Sequence, residues 1–249
     1  MSADERFLEL LAFAEASDDV LGVFVFGSRE RGVGLDERSD YDVAVVLRDD
    51  DAAARFDEQW PYQRGAPVEV ASTTLDALRE HGAFGSPSEW ARYMYAHVEA
   101  RVDKTGGVLQ RILDAKETVP AELRDEVVRR SLGAYVNSTY RALRYGTRLD
   151  AVEAVPALLT AIFALEGRVR PFNQYLEWEL RHHPLPAWHP DTLLALLERV
   201  LDGDTAAQHE LFRAVEQQAR ANGFDDAIDE WEPDVAWLRG AAPYREWAR

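Results

Sequence analysis

Phe24-Val-Phe-Gly-Ser-Arg-Glu-Arg-Gly32 and, after a short polar loop, Ser39-Asp-Tyr-Asp-Val-Ala-Val-Val-Leu47 decide how this chain is read. The apolar run from Leu21 to Phe26 stops abruptly at Gly27-Ser28, the pattern of a buried strand that turns at a glycine. Tyr41 to Leu47 is unbroken and rich in β-branched residues, so it reads as a neighbouring strand. Alternate strand residues share a face, which sends the carboxylates of Asp40 and Asp42 to one side, away from Tyr41 and Val43. Two unpaired carboxylates side by side repel, and a divalent cation with hard oxygen ligands relieves the repulsion. Gly27-Ser28 supplies the complement, a turn without side-chain bulk whose N–H groups approach an anion closely. Carboxylates that take a metal, opposite a turn that takes an anion, predict phosphoryl transfer.

Gly-Ser, an arginine-bearing spacer, and Asp-x-Asp at the head of the next strand together resemble the signature of the nucleotidyltransferase superfamily related to DNA polymerase β. Arg29, Arg31 and Ser39-Asp40-Tyr41-Asp42 are most similar to the small bacterial and the antibiotic (aminoglycoside-type) nucleotidyltransferases. The resemblance implies an enzyme that uses Mg²⁺ and a nucleoside triphosphate, ATP being the default donor. It implies Asp40 and Asp42 as metal ligands, and Gly27, Ser28, Arg29, Arg31 and Ser39 as the nucleotide-binding group. In that superfamily a third carboxylate on a later strand completes the metal site or acts as general base. Glu69 is the acid placed centrally in a strand-like run after Asp-x-Asp, within Pro67-Val-Glu-Val-Ala71.

Composition bounds what surrounds the site. The chain has 249 residues, 47% of them hydrophobic, enough for one large domain or two small ones and too apolar for a disordered chain. No apolar run has membrane-spanning length, and Met-Ser-Ala-Asp-Glu-Arg lacks the character of a signal peptide. With no cysteine in the sequence, a disulfide framework and thiol catalysis are excluded. A cytoplasmic protein without membrane association is expected. The net charge of −17, from 45 acids against 28 bases, opposes nucleic-acid binding and attracts cationic small molecules. Solubility or a salt-rich habitat explains the same acidity. The six histidines show no zinc spacing, and no P-loop, dinucleotide fingerprint or serine-hydrolase elbow occurs.

The remaining pattern predicts an α/β (α+β) core with a small mixed sheet over 1–118, followed by an all-helical domain over 119–249. In the first part, Ala3 to Ala16 reads as a surface helix. Residues 28–39 begin as a short helix whose N-terminus, at Ser28, favours phosphate, with Arg29 and Arg31 beside the same anion. Asp51 caps a helix towards Trp60, Thr73 to Glu80 is helical with Thr73 or Thr74 as its cap, and Ser88 caps a helix through Ala96. His97 to Val102 is a strand, and Asp103 and Lys104 lie in the turn to the next helix, with a nucleotide contact as the less favoured reading. In the second part, helices are expected over 122–146, 151–167, 171–182, 191–202, 204–221 and 224–239. Asn137, Tyr140, Arg141 and Arg144 share one helix face. The aromatic-rich stretch from Arg168 to Trp178 stays open between core, cleft and dimer contact. The acceptor expected from the resemblance and the acidity is a hydroxylated small molecule, foremost an aminoglycoside-like antibiotic, with Glu166, Glu177 or Glu179 meeting its ammonium groups. Protein nucleotidylation, a toxin–antitoxin module, and a catalytically silent nucleotide-binding regulator stay open as alternatives.

Overall fold

The computed structural model describes residues 2–35 and 39–244; Asp36, Glu37 and Arg38 of the predicted 28–39 segment lie outside the described residues. The chain divides into two compact units, Met1–Thr118 and Val119–Arg249.

The first unit is a four-stranded mixed sheet in the order β3-β2-β1-β4. Its strands are β1 (Val20–Phe26), β2 (Tyr41–Leu47), β3 (Val68–Thr74) and β4 (Ala100–Asp103). β1 runs antiparallel to both β2 and β4, whereas β2 and β3 are parallel. Parallel neighbours need a crossover, and α3 (Asp50–Gln59) provides it. Val23, Val25, Val43, Val45, Leu47, Val68 and Val70 share a core with α1 (Ala3–Ala16) and α3. Phe24, Ala44 and Val46 point the other way, onto Leu78, Tyr95, Val98, Leu109 and Leu113. Those residues come from α4 (Leu75–Glu80), the Glu89–Tyr95 3₁₀ turn with its following segment, and α5 (Val108–Glu117). With both faces covered, the central strands read as continuous apolar runs rather than alternating ones.

Local chemistry sets the ends of these elements. Ser2 and Glu5 form a reciprocal capping box on α1, worth about 1 kcal/mol. The cap of α3 is Asp49, whose side chain accepts from the Ala52 N–H at 2.8 Å, and not Asp51, which lies inside the helix. Gly22 is required by packing, since a Cβ there would sit 2.3 Å from Leu109 Cδ2 and 2.9 Å from the Val102 carbonyl.

Three further expectations for this unit are corrected. β3 continues to Thr74, so Thr73 belongs to the strand, and of the two expected caps it is Thr74 that caps α4. The segment after Ser88 is a 3₁₀ turn, and the Ser88 hydroxyl accepts from the Gly82 N–H at 2.9 Å instead of capping it. The last strand starts at Ala100, because His97 takes φ 59°, a left-handed conformation that no strand accommodates. Asp103 and Lys104 have local roles. Asp103 accepts from the Thr105 N–H, and Lys104 donates to the carbonyls of Ala14, Glu15 and Ser17 at the end of α1.

The second unit is helical: α6 (Ala121–Tyr145), α7 (Arg148–Leu165), α8 (Leu176–His182), α9 (Pro190–Leu201), α10 (Thr205–Ala221), α11 (Asp225–Asp229) and α12 (Val235–Leu238). Leu132, Tyr135 and Val136 of α6 are buried, as are Leu158, Leu159, Ile162 and Phe163 of α7. The Tyr135 ring stacks on Phe212 with centroids 6.3 Å apart. The expected helix over 224–239 is broken into α11 and α12. Pro233 has no N–H to continue a ladder and disfavours helix at Glu232. The expected helix over 171–182 is likewise a 3₁₀ turn, Asn173–Tyr175, before α8. Among the described residues, no helix is long and apolar enough to cross a membrane.

Candidate functional site

Register builds the site. Asp42 lies opposite Phe26 of β1 on one side and opposite Glu69 of β3 on the other. Residues opposite each other in neighbouring strands share a face, so Asp42 and Glu69 project together, and Asp40 joins them from two residues upstream. One carboxylate oxygen from each of Asp40, Asp42 and Glu69 can be chosen so that all lie within 4.8 Å of one another. Asp42 is half-buried, and its pKa is pushed up to about 6, first by burial and then by the charges of Asp40 and Glu69. Three hard oxygen donors at this spacing suit an oxygen-loving divalent cation such as Mg²⁺, which would offset that repulsion.

Gly27 stands against this cluster. It takes φ +80°, and a Cβ there would lie 2.2 Å from Asp42 Oδ2. The glycine thus serves a turn and a close approach to the Asp42 carboxylate. It opens α2 (Gly27–Arg31), with Ser28 next to it and the Ser28 carbonyl accepting from the Val33 N–H at 3.1 Å.

Arg29 and Arg31, read from the sequence as lying near a bound anion, donate to backbone carbonyls. Arg29 Nη2 donates to the Ser39 carbonyl at 2.6 Å, and its Nε lies 3.1 Å from the carbonyls of Ser39 and Asp40. Its guanidinium also lies over the Tyr41 ring, 4.1 Å from the centroid. Tyr41 in turn stacks on Phe7 at 4.4 Å and donates to Asp4. Arg29 therefore ties the Ser39–Asp40 backbone to α2 and α1. Arg31 is buried and donates to the carbonyls of Gly27, Tyr93 and Ala96, anchoring the glycine turn to the 3₁₀ segment.

Sequence reasoning missed the partners of Glu69. Tyr62 donates its hydroxyl to Glu69 Oε2 at 3.0 Å, and the Gly65 N–H donates to Oε1. A carboxylate oxygen has more than one acceptor site, so these bonds orient Glu69 while leaving capacity for a metal. The hint in the sequence is slight: an aromatic and a glycine in the loop just before the strand. Tyr62 is exposed, so losing its bond is expected to change affinity only roughly two- to fivefold. Tyr62→Phe is expected to weaken Mn²⁺ binding, followed by electron paramagnetic resonance, by that factor without altering the melting temperature. Unchanged affinity would remove Tyr62 from the site.

In the helical unit the acids are engaged locally. Glu179 is buried and ion-paired with Arg168, Glu177 pairs with Arg181, and Glu166 accepts from Gln218. On the α6 face, Arg141 pairs with Asp150 at 2.8 Å and Arg144 donates to the Tyr140 hydroxyl, while Asn137 is exposed.

Residues 6–89 match the family model described as a nucleotidyltransferase domain. The matched span runs from α1 to the start of the 3₁₀ turn and contains Gly27, Asp40, Asp42 and Glu69. No curated protein matches the chain. These residues thus carry a nucleotidyltransferase domain, which supports nucleotidyl transfer as the chain's class of activity.

Proposed function

We propose that the protein transfers a nucleoside monophosphate from a Mg²⁺-bound nucleoside triphosphate, with ATP the default donor, to a hydroxyl of a small-molecule acceptor. The observation that carries this reading is the convergence of Asp40, Asp42 and Glu69 oxygens within 4.8 Å inside a matched nucleotidyltransferase domain. Catalysis is assigned to residues 1–118, with residues 119–249 a separate helical domain.

Asp40, Asp42 and Glu69 would hold the cation. The cation they would hold would supply charge neutralisation to the phosphates of the triphosphate. The Gly27-Ser28 turn leaves space for the terminal phosphates. Arg29 keeps Asp40 in place through the Ser39–Asp40 backbone, and Arg31 does the same for the turn, so both act as positioning residues. The acceptor oxygen bonds to the α-phosphorus, the bond from that phosphorus to the bridging oxygen breaks, and pyrophosphate leaves. Glu69, oriented by Tyr62 and Gly65, either takes the acceptor proton or remains a ligand while solvent takes it.

An aminoglycoside-like antibiotic is the leading acceptor, supported by the likeness of the motif to the antibiotic-modifying branch and by the net charge of −17, which suits a polycation. A panel of aminoglycosides and lincosamides, each with Mg²⁺ and each triphosphate in turn, is expected to give acceptor-dependent pyrophosphate release with one of them. Silence across the panel, with labelled nucleotide appearing on a protein or a tRNA, would overturn the choice of acceptor.

A further inference from the structure

The first unit carries a second concentration of charge, of opposite sign. Val108, Arg111, Ile112 and Lys116 recur at helical spacing on one face of α5. With Arg79 of α4 and Arg92 of the 3₁₀ turn they line an open cavity of about 340 Å³. It shares no residue with the carboxylate site.

Two of the four cations are buried, Arg92 at 8% and Lys116 at 3% exposure. Lys116 Nζ donates to the carbonyls of Arg79 and His81 at 3.1 and 2.6 Å. Arg92 donates to Gly82, Ala115 and Thr118 at 3.1, 2.7 and 3.0 Å. Most of these carbonyls end α4 and α5, where cations are favoured, which accounts for where the two side chains sit. Their charge is left unbalanced. Among the described residues, Arg79 alone of the four has an ion pair, with Asp76. Burial lowers the Arg92 pKa, opposed only in part by Glu89, whose carboxylate accepts from the Gly85 N–H. Arg92 Nε is buried without a hydrogen-bond partner. Burial and the charge of Arg92 lower the Lys116 pKa to about 8, the direction expected where no counter-anion is at hand. Buried charge is costly unless paired, and a chain with 45 acids and 28 bases would pair it readily anywhere else.

We infer that this cavity binds a small phosphorylated ligand with at least two negative charges. Arg79, Arg111 and Lys116 meet its oxygens, and Val108 and Ile112 offer an apolar wall to its carbon skeleton. A compact ligand is favoured over nucleic acid because the cations are gathered in one cavity, while the acidic remainder of the protein repels an extended phosphate chain.

The test titrates the full chain in EDTA, which silences metal-dependent binding at the carboxylates. The probes are inorganic pyrophosphate and fructose 1,6-bisphosphate, followed by isothermal titration. Saturable binding of at least one probe is expected, weakened about tenfold or more in Arg79→Glu/Arg111→Glu and kept in Asp42→Asn. Both reversed side chains are exposed, and circular dichroism checks that the variant folds. Amide shifts over Val108–Lys116 on adding the probe would locate it. Failure of both probes to bind, affinity untouched by the double reversal, or capture of a single-stranded RNA in preference to either probe would overturn the inference.

Discussion

Asp42→Asn is expected to lower nucleotidyl transfer by about a thousandfold, the effect of several kcal/mol of lost charge stabilisation, while raising the melting temperature of the metal-free protein near neutral pH. The two effects have one origin. Asp42 titrates at about 6 in the folded chain against 3.8 ordinarily, because it is half-buried beside Asp40 and Glu69. Between those values the folded state holds a proton that the unfolded state has released. Stability attributable to this group therefore falls as pH rises from about 4 to about 6, and above that window the whole penalty is present. Asparagine keeps the shape and removes the charge. After discounting for solvent exposure, the relief is about 1 kcal/mol, or about 2–4 °C for a chain of this size. Mg²⁺ should raise the melting temperature of the native protein and leave the variant nearly unmoved, and protons should compete with the metal below about pH 6. Thermal scans at pH 5 and 7.5, with and without Mg²⁺, check all of this alongside the transfer assay. A variant that keeps full transfer, or melts lower than the native protein in EDTA at pH 7.5, would remove Asp42 from the metal site.

Asp40 and Asp42 were legible in the sequence because their spacing is the strand period and the run behind them is apolar enough to be buried on both faces. Glu69 was legible for a similar reason, being flanked by Val68 and Val70, which must face the core. The sequence does not state the pairing: Asp42 meets Glu69 only through the parallel register of β2 and β3, and that register depends on how α3 crosses over. The arginines show the limit of local reading. The sequence places a cation beside a glycine turn but does not say that Arg31 reaches carbonyls at Tyr93 and Ala96, contacts distant in sequence that no window around the motif contains. Tyr62 was hidden for a different reason. Its role comes from a loop folding back on the strand it precedes, and loop residues carry no periodic signal. Helix existence in the second unit followed the 3.6-residue pattern, and the break near Pro233 follows from proline chemistry that an apolar count passes over.

Gly27→Ala is expected to damage both stability and catalysis, and a second glycine separates the two causes. Residue 27 takes φ +80°, where a side chain brings backbone strain of about 1–3 kcal/mol. Gly34 takes φ +64° with nothing within 4 Å of an added Cβ, so Gly34→Ala meets strain of the same kind and no clash. At residue 27 the new methyl would also stand 2.2 Å from Asp42 Oδ2 and 3.2 Å from its Cγ. The Asp42 carboxylate would have to shift within a cluster whose Asp40 and Glu69 charges already raise its pKa after burial, or leave it. Each variant should thus melt lower than the native protein, by about 2–4 °C for each kcal/mol. Gly27→Ala alone should lose Mn²⁺ affinity and transfer activity, by about a hundredfold, since an ångström-scale displacement of a catalytic group costs about that much. Paired measurements of melting temperature, Mn²⁺ binding and pyrophosphate release on the two variants decide the matter. If Gly27→Ala kept native metal affinity and rate, Asp42 would have to act from a position other than the one β2 gives it.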